Sequence, residues 1–524
     1  MPEPEKVPAG EVLDITILLR RDPSVAPARL ATTVRQRVVD HDAYAASFGA
    51  ASADASAVAR FARAHHLKVL GTDLMKRTVL LQGTVRQFNK AFGVALTHLE
   101  HRGHKYRGHR EPVTLPPDVR EAVMGVFGLD NRRVARRPRH SDWPDITPPP
   151  VGPHTRRPHE FARLYDFPAH AAGAGQCIGV LEFGGGFTRR ALSKYLNAMG
   201  LKVPTVVVKE IAPGKNRTEK APGQFSPDVE VYLDLEIIAS LAPEATIVAY
   251  FGENNNRGWL HTLQAAVFDT VHRPSVLSLS WGGAEDTWDE QTVTALNDIF
   301  QSAAQLGITI CCSSGDRGIH EDEERPFTVA FPASSPLVLA CGGTCLSVAS
   351  NGRRTETVWN QWAEYKLASG GGVSNRFPKP EFQGGYRVPP RRRRDGAGRG
   401  LPDVAANASS VTGYLIESDG TSLSMGGTSA AAPLWAALVA RLNQALGGRI
   451  GYLTPLLYAK KAQAFGAVRG ITKGFNGASP RKAYQARPGW NACTGLGSPR
   501  GTRLLAWLEK LAGGEEEESE LRSD

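Results

Sequence analysis

Cysteine is scarce in this chain: six residues among 524, with no C-x-x-C pair. The absence of that spacing removes the usual thiolate zinc sites. Cys177, Cys311, Cys312, Cys341, Cys345 and Cys493 mostly stand in apolar, strand-like contexts, the setting of buried free thiols. No apolar run approaches the length of a membrane span, so no membrane partner is expected. Residues Met1 to Val12 lack the basic-then-apolar pattern of a signal peptide. There are no internal repeats. The formal net charge is +10, yet no basic module interleaved with aromatics accompanies it, so nucleic-acid binding is not expected. Histidine is unevenly spread: of 14, only His261, His272 and His320 lie beyond residue 170.

The length fits a small domain followed by a large one. Residues 1–135 read as an α+β unit. Val12 to Leu19 alternates as a strand, helical patterns follow over Ala28 to Tyr44 and Ala53 to His65, and Arg77 to Gln82 is strand-like. Thr84 then caps a helix carrying Phe88 and Phe92, and the βαββαβ-like order suggests a ferredoxin-like sandwich. Residues 136–158, with Pro148-Pro149-Pro150 and Arg156-Arg157, read as an exposed linker. From 159 to 512, apolar strands (Cys177 to Phe183, Ala245 to Phe251, Ser275 to Ser280, Ile308 to Ser313) alternate with amphipathic helices, which argues a doubly wound parallel sheet. Residues 513–524 form an acidic tail expected to be disordered, and Arg391 to Arg394 read as a surface loop.

The chemistry starts at Gly426-Gly427-Thr428-Ser429-Ala430-Ala431-Ala432-Pro433. A glycine turn delivers Ser429 to the start of an apolar helix, Ala430 to Leu446. The first turn of a helix favours a nucleophile that passes through anionic states. A plain N-cap after a glycine loop is the simpler alternative. A serine hydroxyl needs a base. His261 stands within a helical stretch, His272 before a proline and His320 beside an acidic run, so each reads as structural or surface.

Carboxylates are the other option. In the helical segment Asp228 to Ile238, Glu230 and Asp234 are four apart and share a face. Two acids that close resist ionising together and titrate as a pair, which suits Glu230 as a base in acid with Asp234 orienting it. The alternative is an ordinary helix with a wet acidic side. A third acid, Asp316, follows the strand Ile308 to Ser313 in a Gly-Asp-x-Gly turn. Sites form beyond the carboxyl ends of strands in open α/β sheets, and a protonated aspartic acid there can donate to an oxyanion. A solvated turn aspartate is the alternative.

At this point the chain resembles the sedolisins, or serine-carboxyl peptidases, and within them the kumamolisin-like members with their propeptide attached. The resemblance runs from about residue 12 to about residue 505. It rests on Leu181-Glu182-Phe183-Gly184-Gly185-Gly186, Glu230-Val231-Tyr232-Leu233-Asp234, Ser278-Leu279-Ser280-Trp281-Gly282, Ser314-Gly315-Asp316, Phe331-Pro332-Ala333-Ser334-Ser335-Pro336, Leu401-Pro402-Asp403-Val404-Ala405-Ala406, Gly427-Thr428-Ser429 and Gly489-Trp490-Asn491-Ala492-Cys493-Thr494-Gly495. The resemblance implies a subtilisin-like catalytic domain behind a ferredoxin-like inhibitory prodomain, with processing in the linker. It implies Ser429 as nucleophile, Glu230 as general base and acid, Asp234 as its supporting carboxyl and Asp316 as oxyanion donor. Glu182 and Trp281 match residues that extend the network behind the base. The implied reaction is endopeptidase cleavage through an acyl-enzyme on protein or peptide substrates, by an extracellular monomer whose own prodomain inhibits it. A carboxylate base works where histidine is already protonated, so activity is expected to peak below about pH 5. A binding or scaffold homologue that has lost catalysis is the alternative, against which the intact acids and serine stand.

One departure concerns calcium. The family's C-terminal loop has ligand aspartates in Asp-Ile-Thr and Gly-Trp-Asp elements. Here they read Gly470-Ile471-Thr472 and Gly489-Trp490-Asn491. Calcium wants charged oxygen ligands, so tight binding is not expected, and the carbonyls of Ile471 and Gly489 with the Asn491 amide would form only a weak cage. No cofactor is expected to be required. Residues 1–158 hold 25 Lys/Arg against 16 Asp/Glu and nine of the histidines, with His98, His101, His104 and His109 clustered. Protonation of that cluster is expected to weaken the prodomain's hold in acid.

Overall fold

The structure, a computed structural model, describes residues 5–24, 39–101, 103–135, 151–219, 227–322, 324–418 and 420–520. The N-terminal part runs β1 (Val12–Leu19), α1 (His41–Phe48), α2 (Ser52–Ala64), β2 (Lys68–Asp73), β3 (Thr78–Thr84), α3 (Val85–Phe92), β4 (Thr97–His101), β5 (His104–Gly108) and β6 (Val123–Phe127). Its four-stranded sheet has the order β2-β3-β1-β6, antiparallel throughout, with Val12 opposite Thr84 and Thr16 opposite Phe127. The expected ferredoxin-like order is therefore present, with the hairpin β4–β5 inserted before the last strand.

Local chemistry explains the boundaries. Thr84 and Gln87 form a reciprocal capping box that starts α3. Strand β3 begins at Thr78 because Arg77 has φ +57° and belongs to the preceding turn. The helix expected over Ala28 to Tyr44 falls partly outside the described residues. Its described part, α1, begins at His41, where the Asp40 carboxylate accepts from Ala43 N at 2.7 Å. Along β1, Ile15, Ile17 and Leu19 join the core with Phe61, Leu81 and Phe88, whereas Leu18 points the other way, into a cluster with Trp259, Leu263 and Phe300. Both faces of β1 are thus buried, one by the domain's own helices and one by the C-terminal part, while β2 at the far edge stays largely exposed.

That larger part is built from β7 (Cys177–Glu182), β8 (Val206–Glu210), α4 (Pro227–Leu241), β9 (Thr246–Phe251), α5 (Asn256–Val267), β10 (Val276–Leu279), α6 (Glu290–Gln305), β11 (Thr309–Ser313), β12 (Leu339–Val348), β13 (Arg354–Val358), β14 (Val404–Asn407), α7 (Thr428–Leu446) and α8 (Gly501–Glu520), with shorter elements between. The sheet order is β13-β12-β11-β10-β7-β9-β8, with β14 also on β12; every pairing is parallel except β12 with β13. Strands β7, β10 and β11 are buried throughout, as continuous apolar runs covered on both faces must be. Helix α7 packs against α4 and crosses the middle strands, and its Ser429 end meets Ser280 just after β10 and Gly315 just after β11. Chain order reverses at β7, flanked by β9 and β10, which is where such sheets form sites.

One expectation is corrected and one refined. The linker's described end is exposed at Val151, Pro153, His154 and Arg157, as expected, yet Arg156 pairs with the strand Tyr414–Ser418 through Arg156 N to Gly413 O (2.9 Å) and Leu415 N to Arg156 O (2.7 Å). Instead of a disordered tail from 513, the backbone of α8 stays helical to Glu520, in keeping with the high helix propensity of glutamate. All six cysteines are free, five buried and Cys345 half-buried. The arginine run is anchored to the protein: Arg391 donates to Ser374 O and Phe377 O, and Arg393 pairs with Asp286.

Candidate active site

Helix α4 has no wet side. Every residue from Pro227 to Leu241 is buried except Glu230, which is half-buried, so the acids at 228, 234 and 236 lie inside the protein. Asp228 holds the entry to the helix by accepting from Gly186 N at 2.8 Å and Glu219 N at 2.9 Å. The loop that follows β7 passes so close that a Cβ on Gly185 (φ +71°) would lie 2.6 Å from the Pro227 carbonyl carbon.

Strand β7 ends at Glu182, fully buried, whose Oε2 accepts from Trp281 Nε1 at 3.0 Å. Trp281 follows β10 and meets Phe183 edge-on; Phe183 stacks flat on Trp259 at 3.9 Å between centroids. This aromatic wall keeps water from Glu182. Burial, opposed by the Trp281 bond and reinforced by nearby Glu230, raises the Glu182 carboxyl well above the ordinary range. Asp234 is raised well above it too, first by burial and then by Glu182 and Glu230. The three acids on two elements thus feel one another's charge and share protons as a set.

Asp234 connects to the serine through a residue that the spacing argument had missed. Ser280 Oγ lies 2.8 Å from Asp234 Oδ1 and 3.3 Å from Ser429 O. The carbonyl of Ser429 lacks its helical partner because the residue four positions on is Pro433, which has no N–H. A proline in the helix and a serine after β10 are together the signal for this bridge. Ser429 itself is buried in the first turn of α7, and its Oγ has no hydrogen-bond partner among the described residues.

Asp316 is not a solvated turn residue. It is 2% exposed, and its Oδ1 accepts from both the N–H and the hydroxyl of Thr428, each at 2.7 Å. Thr428 Oγ1 in turn accepts from Gly315 N at 3.1 Å. A Cβ on Gly427 would come within 2.7 Å of Asp316 Oδ2, and its φ of +94° is itself a glycine conformation. The glycine turn therefore holds Asp316 against Gly427 and Thr428, the two residues before Ser429. The late histidines are engaged elsewhere: His261 with Thr16, His272 with Asp269, His320 against the Trp362 ring.

The C-terminal loop does not suit calcium. Asn491, 1% exposed, accepts through Oδ1 from Cys493 N, Thr494 N and Thr494 Oγ1 at 3.0–3.1 Å. Backbone donors fix that oxygen, so Nδ2 must face the other way, where it donates to Ile471 O at 3.2 Å. An N–H donor stands where a cation would need an acceptor. Gly470 carries no carboxylate, and Gly489, at φ +77°, supplies only its backbone.

The four clustered histidines lie away from this site. His98, His101 and His104 are on the hairpin β4–β5 and His109 just beyond it. Among the described residues, the side chains of His98, His104 and His109 make no hydrogen bond to the C-terminal part; His109 Nδ1 meets Glu111 O at 2.7 Å.

Comparison with known proteins agrees with this architecture. Residues 207–457 match the subtilase family, and residues 5–132 match the pro-kumamolisin activation domain. The chain is 41% identical to kumamolisin of Bacillus sp. (strain MN-32), over 96% of this chain and 94% of that one. It is 28% identical to sedolisin of Pseudomonas sp. (strain 101), over 95% and 88%. The solved structure of Pseudomonas sedolisin, a serine-carboxyl proteinase complexed with two molecules of pseudo-iodotyrostatin, superposes with a TM-score of 0.61 at 30% identity, covering 68% of this chain and 98% of the other.

Proposed function

Because the chain belongs to the sedolisin family of serine-carboxyl peptidases, in its kumamolisin-like branch, we propose that it cleaves internal peptide bonds of proteins in acid, with Ser429 as nucleophile, after removing its own N-terminal domain. The observation that carries this reading is the proton-sharing set of buried Glu182 and Asp234 with half-buried Glu230, linked through Ser280 to the helix turn that holds Ser429.

The steps follow from what each group can hold. Glu230, the half-buried member of the set, takes the Ser429 proton as the hydroxyl attacks the scissile carbonyl, and returns it to the leaving amine. Asp234, raised by burial and its acidic neighbours, accepts from Ser280 Oγ, whose hydroxyl also reaches Ser429 O and so ties the acid set to the first turn of α7. That chain leaves the Ser429 backbone fixed while its side chain reacts. Asp316 carries a proton on Oδ2 and donates it to the oxyanion, since Oδ1 is already occupied by Thr428. Glu182, raised by its burial, keeps a proton on the set, and the Trp281 N–H holds that carboxyl in place. The acyl-enzyme is then hydrolysed by water with the same two transfers.

The N-terminal domain (1–135) serves as intramolecular inhibitor, and the cut falls within 136–158. We place the mature enzyme outside the cell, as a monomer. No calcium is needed, because Asn491 closes its loop with an amide. Incubating the full chain at pH 4 is expected to release the first ~150 residues, a domain-sized fragment. Ser429→Ala and Glu230→Gln are expected to stay full length. A Glu230→Gln chain that processes at the parent rate would refute a carboxylate base, and a parent that stays intact in acid would favour an inactive scaffold.

A further inference from the structure

Helix α5 presents His261 to the N-terminal domain. Its Nε2 lies 2.7 Å from Thr16 Oγ1 on β1, across 245 residues of chain. Thr16 is 1% exposed, and its oxygen also accepts from Arg257 Nε at 3.2 Å. Arg257 only donates, so the buried Thr16 hydroxyl has one place for its own proton, the lone pair of a neutral imidazole. The charges facing the ring are positive. Arg257 comes from the same helix, and Lys76 comes from the turn between β2 and β3, whose carbonyl accepts from Gln264 at 2.8 Å. Asp14, Glu253 and Arg107 act on Arg257 rather than on the ring. No carboxylate is among the groups that shift His261.

We propose that His261 is the proton sensor of prodomain release: it seats β1 only while neutral, and its protonation removes the acceptor for Thr16 and places a third cation beside Arg257 and Lys76. The proposal rests on the reading of residues 1–135 as an inhibitory prodomain.

Burial, then Arg257 and Lys76, lowers the seated imidazole from its ordinary 6.5 to about 3. The released helix regains the ordinary value, so it binds a proton that the seated one refuses. Between about pH 6.5 and pH 3, each unit of acidification then loosens the seat about tenfold, or roughly three-hundredfold by pH 4. His41 on α1 works in the same direction: burial lowers it, helped by Arg273 and Arg449 and opposed by its contact with Val267 O at the end of α5 and by Asp269. Other contacts of the interface do not involve imidazole: Arg21 pairs with Asp298 at 2.8 Å, and Arg77 pairs with the same carboxylate.

The test compares the full chain with its His261→Gln variant, which keeps a neutral acceptor for Thr16 at every pH. Self-processing of the variant is expected to begin about one pH unit lower and to slow at least tenfold at pH 5, about the size of one lost unit of linkage. The pH–rate profile of the matured variant should match the parent. Amide exchange of β1, followed in the Ser429→Ala full chain, reads the seat independently of catalysis. Protection of β1 should fall between pH 6 and 4 in that chain and persist when His261→Gln is added. Loss of protection at the same pH in both chains, or none in either, overturns the proposal, whereas absent processing with normal exchange behaviour counts against the peptidase reading alone. A Thr16→Val chain should begin processing at higher pH than the parent; an unchanged or lower onset also counts against the sensor.

Discussion

At the scale of single residues, Ser280 is the informative position. Its hydroxyl lies within hydrogen-bonding distance of both Asp234 and the backbone of Ser429. Removing it takes away hydrogen bonds worth a net ~1–1.5 kcal/mol without touching the reacting atoms. Ser280→Ala is expected to lower kcat about tenfold with little change in KM, and to move the acidic limb of the pH–rate profile, since Asp234 then shares protons only with its acidic neighbours. A parallel loss in kcat and thermal stability, with the pH profile fixed, would show that Ser280 merely packs. Gly427 gives the complementary case. Gly427→Ala forces a Cβ against Asp316 and strains a positive φ, at a cost of about 1–3 kcal/mol. Its expected outcome is loss of self-processing in a chain that still shows native circular dichroism.

At the scale of elements, the sequence was easiest to read where a local rule and a tertiary demand coincide. The capping box at Thr84, the continuous apolar runs of β7 and β11 and the glycine turn into α7 each announce themselves within a few residues. Glu230 and Asp234 were legible as a pair because helical spacing puts them on one face. What the spacing concealed is that α4 has no solvent side, because burial all round depends on α7 packing over it. His261 was illegible for the same reason: its partner is on β1, and nothing near residue 261 hints at a prodomain surface. Ser280 was visible only as part of a matching motif. The carboxylate-free C-terminal loop was legible as a departure, and the structure supplies its physical content, an amide that both accepts and donates. Chelator is therefore expected to leave the melting temperature of the parent unchanged. Joint Gly470→Asp and Asn491→Asp substitution should lower it by several degrees without calcium, through loss of hydrogen bonds worth ~1–3 kcal/mol, and restore it when calcium is added. A parent that melts earlier in chelator would refute the amide closure.

At the scale of the whole molecule, buried acids set how stability varies with pH. Glu285 is fully buried, accepts from Ser374 Oγ at 2.6 Å and Asn375 N at 2.7 Å, and is pushed up to about 7, mainly by burial. Glu321, beside Asp316, is raised to about 7 by burial as well. An acid raised in the folded state holds its proton where the unfolded chain has lost it, so its stabilisation is full below about pH 4.5 and fades as pH climbs towards 7. For Glu285 this amounts to roughly 3 kcal/mol across that window. The lowered imidazoles of His261 and His41 act in the opposite sense, so Glu285 is read by difference: adding Glu285→Gln to the Ser429→Ala full chain should lower its melting temperature at pH 4.5 relative to pH 7.5. An equal pH dependence of melting in both chains would remove Glu285 from the account.

Two contacts at the domain junction are made by neutral amides to main chain alone. Gln291 receives from Val126 N at 2.9 Å and gives to Val126 O at 2.8 Å, while Asn254 does the same for Ala135 at 3.0 and 2.7 Å. Each side chain stands in for a neighbouring strand at one rung of a ladder. Such a grip is blind to which side chains residues 126 and 135 carry, so mutational drift there leaves it intact, and a foreign leader of the same backbone shape would find both clasps ready.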